Sequence, residues 1–309
     1  MHALRLLVPV YSVAEQIRNQ ARRGLAVKIQ SGTLYVVATP IGNIDDLSPR
    51  AREVLAEVSL VAAEDTRHAG QLLTRLGISA RLVSLHEHNE AQRSDELLEL
   101  LKTGSSIALV SDAGTPLISD PGYRLLAAAR AAGLPVSPIP GCCALIAALS
   151  VAGLPTDRFL FEGFLPARRA ARLARLGELA GVGPTLVFYE SAHRLPETLV
   201  DAISVLGESR PAAVGRELTK LHETIYRGSL ADVLGAVKAD PGGERGECTL
   251  LIGGSPVPLA PGEDELARIV NLLAAELPAA QAAGLAARIT GASRRDAYRL
   301  VQERRQQRP

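Results

Sequence analysis

With 309 residues, 47% of them hydrophobic, the chain is long enough to bury the cores of two domains. Its 34 basic and 33 acidic side chains leave a formal net charge of +1, which excludes a strong non-specific hold on nucleic acid, and an aromatic content of 3% without tryptophan argues against aromatic platforms for single strands. Three cysteines without a CxxC spacing exclude a disulfide framework and a structural zinc site and fit a reducing cytoplasm, and no run approaches the roughly 20 apolar residues of a membrane span.

Residues 1–31 read as a loosely ordered extension, since Leu4 to Val13 is only briefly apolar and lacks the basic start and cleavage site of a signal peptide. Residues 32–157 form a first α/β domain. Strands are expected at 34–38, 58–63, 81–85, 107–111 and 135–139, alternating with helices at 49–57, 67–76, 91–102, 123–132 and 144–151. This βα alternation predicts a mostly parallel sheet with helices on both faces. Residues 158–254 form a second α/β domain with strands at 159–161, 185–189, 212–215, 223–226 and 248–253 and helices at 168–179, 194–206 and 230–237; the Gly-Glu-Arg-Gly-Glu turn before Cys248 suggests antiparallel pairing. After a linker at Pro256 to Pro261, residues 262–309 form a helical tail, broken at Pro278 and at Thr290 to Ser293, whose last helix is basic.

Polar residues capable of chemistry gather where apolar strands end. Asp112 stands just past a strand in Ser111-Asp112-Ala113-Gly114-Thr115-Pro116-Leu117-Ile118-Ser119-Asp120-Pro121-Gly122, a run that offers carboxylates, a hydroxyl and close backbone approach at the edge where open α/β sheets bind ligands. It suits a small cationic or hydroxyl-bearing ligand better than a phosphate, and the chain has neither a Walker A sequence nor a dinucleotide fingerprint. Pro40-Ile41-Gly42-Asn43 and Pro140-Gly141-Cys142-Cys143-Ala144 are expected at neighbouring strand ends, and Ala63-Glu64-Asp65-Thr66-Arg67-His68 adds two carboxylates, an arginine and a histidine. His86-Glu87-His88-Asn89-Glu90 lacks a third nearby histidine, so substrate contact or helix capping is expected there and no metal. Arg168, Arg169, Arg172 and Arg175 recur along one helix, either as a solvated face or as phosphate ligands. Ser191 and His193 are too close in sequence to present a nucleophile and its base to one another, and no nucleophile-elbow sequence is present.

Seven blocks in order, TPIGN (39–43), AEDTRH (63–68), HEHNE (86–90), SDAGTPLISDPG (111–122), EGFLP (162–166), FYESAHR (188–194) and RELTK (216–220), closely resemble the tetrapyrrole methylase superfamily, in particular its branch acting on small-subunit ribosomal RNA. The resemblance covers about 32–254 and implies a two-domain tetrapyrrole-methylase, or class III methyltransferase, fold with a small C-terminal helical extension. It further implies S-adenosyl-L-methionine as methyl donor, held between two α/β domains, a homodimer, and 2′-O-methylation of a cytidine in the decoding region of 16S ribosomal RNA, naked or in the 30S subunit. The donor positions carry over onto Pro40, Asp112, Gly114, Thr115, Ile118, Cys143, Ala144, Tyr189, Leu218 and Gly246. Such proteins usually have proline where this chain has Cys142.

Methyl transfer to a ribose hydroxyl needs alignment of donor and acceptor and a group to take the hydroxyl proton. Asp65 or Glu190 is the expected acceptor, with Arg67, His68, His88, Asn89, Arg168, Arg169 and Arg216 contacting RNA. Two other readings fit parts of the sequence. One is a C-methyltransferase of uroporphyrinogen-type tetrapyrroles; the other is a non-enzymatic RNA-binding module in which Ala279 to Val301 forms a helix-turn-helix.

Overall fold

The computed structural model describes residues 28–255 and 263–306, so the expected extension, apart from residues 28–31, and the expected linker at 256–261 lie outside the described residues. Two compact units are present: residues 28–147 with Leu218–His222, and Ala148–Glu217 with residues 223 onward.

The first unit holds β1 (Leu34–Val37), β2 (Leu60–Ala63), β3 (Leu82–Ser84), β4 (Ile107–Val110) and β5 (Val136–Ile139) in one parallel sheet of order β3-β2-β4-β1-β5. Its helices are α1 (Pro49–Glu57), α2 (Thr66–Arg75), α3 (Glu90–Lys102) and α4 (Tyr123–Ala131), followed after β5 by α5 (Ala144–Ala152). Ser48 starts α1 by accepting from the Ala51 amide at 3.1 Å, ahead of a first-turn proline.

Side chains alternate across the sheet and sort into two cores. Tyr35, Val37, Val61, Ala63, Ala108 and Val110 pack with Val54 and Leu55 of α1 and Leu73 of α2, whereas Leu34, Leu60, Ala62, Ile107 and Leu109 pack with Leu97 and Leu101 of α3 and Leu125 of α4. The chain leaving β1 therefore runs to one face and the chain leaving its neighbour β4 runs to the other. That divergence opens a crevice at the carboxyl ends of β1 and β4, the place where doubly wound sheets bind ligands.

The second unit's sheet has order β6-β7-β10-β8-β9, from β6 (Phe159–Phe164), β7 (Thr185–Ser191), β8 (Pro211–Arg216), β9 (Thr224–Ser229) and β10 (Glu247–Ile252). Only β6 and β7 pair in parallel; the antiparallel pairing expected from the turn before Cys248 is present at β10 with β7 and with β8. Phe188, Leu186, Leu250 and Val214 pack against α6 (Arg169–Leu179), α7 (Leu195–Leu206) and α8 (Leu230–Ala239) on one face.

The arginine row of α6 is not uniformly solvated. Arg172 and Asp201 of α7 are each 2% exposed and meet at 2.8 Å, while Arg169 reaches the other Asp201 oxygen at 2.9 Å. Burial would raise the Asp201 pKa, but the two guanidinium hydrogen bonds outweigh it and hold the carboxyl below its usual value. Arg175 pairs with Glu162 and Glu178.

The tail forms α9 (Glu263–Glu276), α10 (Ala279–Thr290) and α11 (Arg294–Gln306) around a small-residue core of Val270, Ala282, Ala283, Ala286, Ala297 and Val301. Ser293 caps α11, accepting from the Asp296 amide at 3.0 Å.

Candidate functional site

The run after β4 is the hub of the crevice. Thr39 and Gly114 form an antiparallel bridge, with hydrogen bonds of 2.8 and 3.1 Å, which joins the loops after β1 and β4. The Thr115 hydroxyl donates to the Cys142 carbonyl at 2.9 Å, tying in the loop after β5. On the other side an Asp112 carboxylate oxygen accepts from the Asp65 amide at 3.1 Å, tying in the loop after β2. Four strand ends are thus braced through one loop. The loop carries strain: besides Gly114 and Gly122, the non-glycine residues Leu117 (φ 77°) and Ser119 (φ 68°) adopt the left-handed region.

Pro40, Asp112, Gly114, Thr115, Ile118, Cys143 and Ala144 all lie in this first unit, Ala144 opening α5. Leu218 joins them there. A Cβ on Gly42 would stand 2.4 Å from Lys220 Cγ and 3.1 Å from the Leu218 carbonyl oxygen, so only glycine lets the loop after β1 pass the 218–220 segment. The Asn43 amide donates to the Thr219 hydroxyl at 3.1 Å across this contact. Tyr189 and Gly246 lie instead in the second unit, at one edge of its sheet, where the Ala192 amide donates to the Gly246 carbonyl at 3.0 Å. At the Cys142 departure the thiol contacts the Asp46 carbonyl at 3.5 Å, and burial raises its pKa.

The rim is acidic. Burial raises the Glu64 pKa, and the negative charges of Asp112 and Asp120 add to it. Burial likewise raises Asp120; the Ser111 hydroxyl opposes this and Asp112 adds to it, leaving a value of about 6. Asp65 has the opposite environment. Its carboxylate caps α2 through the Arg67 amide at 2.8 Å and pairs with the Arg67 guanidinium at 2.8 Å, which holds it far below the usual carboxylate range. A carboxylate so held is a poor proton acceptor.

Glu190, the other expected acceptor, is enclosed by its surroundings. It is 2% exposed, and its oxygens accept from the Thr198 hydroxyl at 2.8 Å and the Ser191 amide at 3.0 Å, with Arg194 at 3.4 Å. These contacts make it a buried brace between β7 and α7.

Two expected RNA contacts, Arg216 and Asn89, are engaged within the chain. Arg216 is 5% exposed and spends its guanidinium on Thr224 (3.0 Å), Tyr226 (3.3 Å), the Arg245 carbonyl (3.3 Å) and Asp240 (3.4 Å). Asn89 folds inward, accepting from the His86 amide at 2.9 Å and donating to the Ser84 carbonyl at 3.3 Å. Arg67, His68, His88, Arg168 and Arg169 are exposed. His68 lines a small cavity with Thr39, Ser111 and Asp112. Among the described residues no group of three or more His, Cys, Asp or Glu is placed to hold a metal.

Of the 86–90 block, for which substrate contact or helix capping is expected, Glu90 caps a helix, though a distant one. Its carboxylate accepts from the Gly122 and Arg124 amides at 3.0 and 2.9 Å and so caps α4 from 32 residues away, fixing the far end of the strained loop. The signal was Gly122, a helix-start residue without a capping side chain of its own.

The family model "Tetrapyrrole (Corrin/Porphyrin) Methylases" matches residues 33–234, and the model "RsmI C-terminal HTH domain" matches 260–305. The chain is 51% identical over 280 residues to "Ribosomal RNA small subunit methyltransferase I" of Pseudomonas aeruginosa, covering 89% of this chain and 99% of that one. It belongs to the ribosomal RNA small subunit methyltransferase I family. The member from Escherichia coli O157:H7 is 50% identical, covering 88% of this chain and 95% of its own. Among solved structures, the methyltransferase CobJ aligns with a TM-score of 0.55 at 21% identity, covering 73% of this chain and 95% of that one. A cobalt precorrin-4 methyltransferase aligns at 0.52 and 16%, covering 72% and 95%. These two show the shared two-domain tetrapyrrole-methylase fold. The family's expected two α/β sheets and C-terminal helices are all present.

Proposed function

We propose that the chain is an S-adenosyl-L-methionine-dependent methyltransferase that methylates the ribose 2′-hydroxyl of a cytidine in the decoding region of 16S ribosomal RNA. It acts in the cytoplasm, as a homodimer, on RNA or the assembled 30S subunit. The observation that carries this reading is the acidic, lysine-free loop 111–122 at the crevice of the first sheet, in a chain half identical to ribosomal RNA methyltransferases over most of its length. Among the described residues no helix is long and apolar enough to cross a membrane.

The residues present fit the donor. Its sulfonium and amino groups are cationic, and Glu64, Asp112 and Asp120 gather negative charge at one rim. Gly114 and the Thr39 bridge present backbone there, with Pro40 and Ile118 as apolar neighbours and Thr115 held in place by Cys142. When bound, the donor supplies a methyl group activated as a sulfonium. A ribose hydroxyl that took this methyl would have to give up its proton to a base of the chain. Asp120 is that base. Half-buried beside Ser111, with an affinity for protons far above that of Asp65, it takes the proton and returns it to solvent. Arg67, His68 and His88, exposed, supply RNA contacts, with Arg168 and Arg169 on the second unit.

The test is incubation with donor carrying a labelled methyl group and 30S particles from cells lacking the enzyme, followed by digestion and mapping of the labelled nucleoside. One 2′-O-methylcytidine per particle is expected. Label on a base, on another nucleoside, or on none contradicts the reading.

A further inference from the structure

Aromatic residues are scarce, yet three of the four phenylalanines, Phe159, Phe161 and Phe164, fall on one strand, β6. Regular alternation would put Phe161 and Phe164 on opposite faces of the sheet. A β-bulge prevents that. The register runs Phe161 to Val187 and then Gly163 to Phe188 and Phe164 to Tyr189, so Glu162 is the extra residue, and Gly163 takes the left-handed φ of 67° beside it. Phe188 belongs to the helix-covered core, so Tyr189, Phe161 and Phe164 share the face turned away from α6, α7 and α8. The Tyr189 ring stands 4.9 Å from Phe161, edge-on at 68°, and 5.9 Å from Phe164, tilted at 59°.

The Phe164 ring is held still and left open, with Phe161 and Tyr189 half-buried behind it. Phe164 is 59% exposed on an edge strand. The chain after it is pinned by Arg194, whose Nη2 donates to the Leu165 and Pro166 carbonyls at 2.9 and 3.4 Å, and the bulged Glu162 is anchored by Arg175. Four residues on, exposed Arg168 stands just before α6, whose first residue Arg169 is held by Asp201. An exposed aromatic ring on a braced backbone, with an arginine four residues along the chain, matches an unstacked nucleobase and its phosphate.

We infer that Phe164, backed by Phe161 and Tyr189, is a stacking platform for an unpaired base of the RNA substrate. The inference rests on the ribosomal RNA reading for the identity of its partner. It also reverses the expectation from composition, because position outweighs number: a single braced ring is enough to stack one base.

The test uses the full chain and its Phe164→Ala, Phe164→Leu and Phe164→Trp variants, titrated against labelled single-stranded oligocytidylate and against 30S particles. Affinity for both should fall about five- to 100-fold in Phe164→Ala, stay low in Phe164→Leu, and return in Phe164→Trp. Calorimetric affinity for S-adenosylhomocysteine and the sedimentation coefficient should not change. Equal RNA affinity across the variants, or no binding of oligocytidylate by the wild type, overturns the platform. So does a loss of S-adenosylhomocysteine affinity, which would place the rings on the donor, or a change of sedimentation, which would place them on a second copy of the chain. The expected binding pattern without methyl transfer to RNA would instead refute the proposed reaction and leave the platform standing.

Discussion

Replacing Asp120 with asparagine is expected to lower the single-turnover rate of methyl transfer by about a hundred- to ten-thousand-fold while the chain still binds S-adenosylhomocysteine. Asparagine keeps the shape and the hydrogen bond from Ser111 but cannot accept the proton. Wild-type turnover should rise about tenfold per pH unit through the acidic range and level off at or below about 6, since a bound cation favours the carboxylate. The variant should lose that limb. Asp65→Asn should lose far less, its carboxylate being held by Arg67 far from any role as acceptor. The same group bears on folding. Its folded pKa of about 6 lies above the value of 3.8 for a free side chain, so the folded state binds more protons between these values and this contribution to stability falls as pH rises through the window. Asp120→Asn should accordingly melt higher than wild type at pH 7.5, with no difference at pH 3.5. A variant that keeps wild-type turnover would return the proton to another group.

The largest stability loss is expected at Asp201. Asp201→Ala would leave Arg172, 2% exposed, without the carboxylate 2.8 Å away, its buried charge offset by the Ala167 carbonyl at 3.3 Å and the more distant Glu197 carboxylate at 3.7 Å. Breaking such a pair from one side costs about 3–5 kcal/mol. For a chain of this size the melting temperature should fall on the order of 10 °C. The double variant Arg172→Met/Asp201→Leu should recover most of it, because apolar partners of similar size remove both desolvation penalties. Thermal melts followed by circular dichroism decide the matter, and a single variant that melts with the wild type would mean that water already reaches Arg172.

Much of this was legible in the sequence because apolar strands that end in polar loops announce a parallel sheet and its ligand edge together. The doubly wound sheet and its crevice follow from the βα alternation, and Asp112, Gly114 and Thr115 fall where their motif puts them. Burial was harder to read. Arg216 and Arg172 have the same side chain as exposed Arg168, and only the partners brought by distant segments, Asp240 and Asp201, separate them. Glu190 stands with His193 and Arg194 at a strand end, where acid and base combine, yet strand alternation turns it toward Thr198 and the helix-covered face. Asp120 carried no sequence mark distinguishing it from Asp112. Its character comes from half-burial in a strained loop beside Ser111, a property of the folded backbone. The bulge at Glu162 was likewise invisible, since a strand read as ending at Phe161 hides the ring at Phe164.

Binding of the cationic donor by the braced acidic loop at the carboxyl ends of β1 and β4 underlies the proposed reaction. Calorimetric titration of the purified chain and of Asp112→Asn with S-adenosyl-L-methionine tests it most directly, because asparagine keeps an oxygen for the Asp65 amide and removes only the charge. One donor per chain is expected for the wild type, with affinity about ten- to 100-fold weaker in the variant. No heat of binding in the wild type, or equal affinity in the two, would contradict the account.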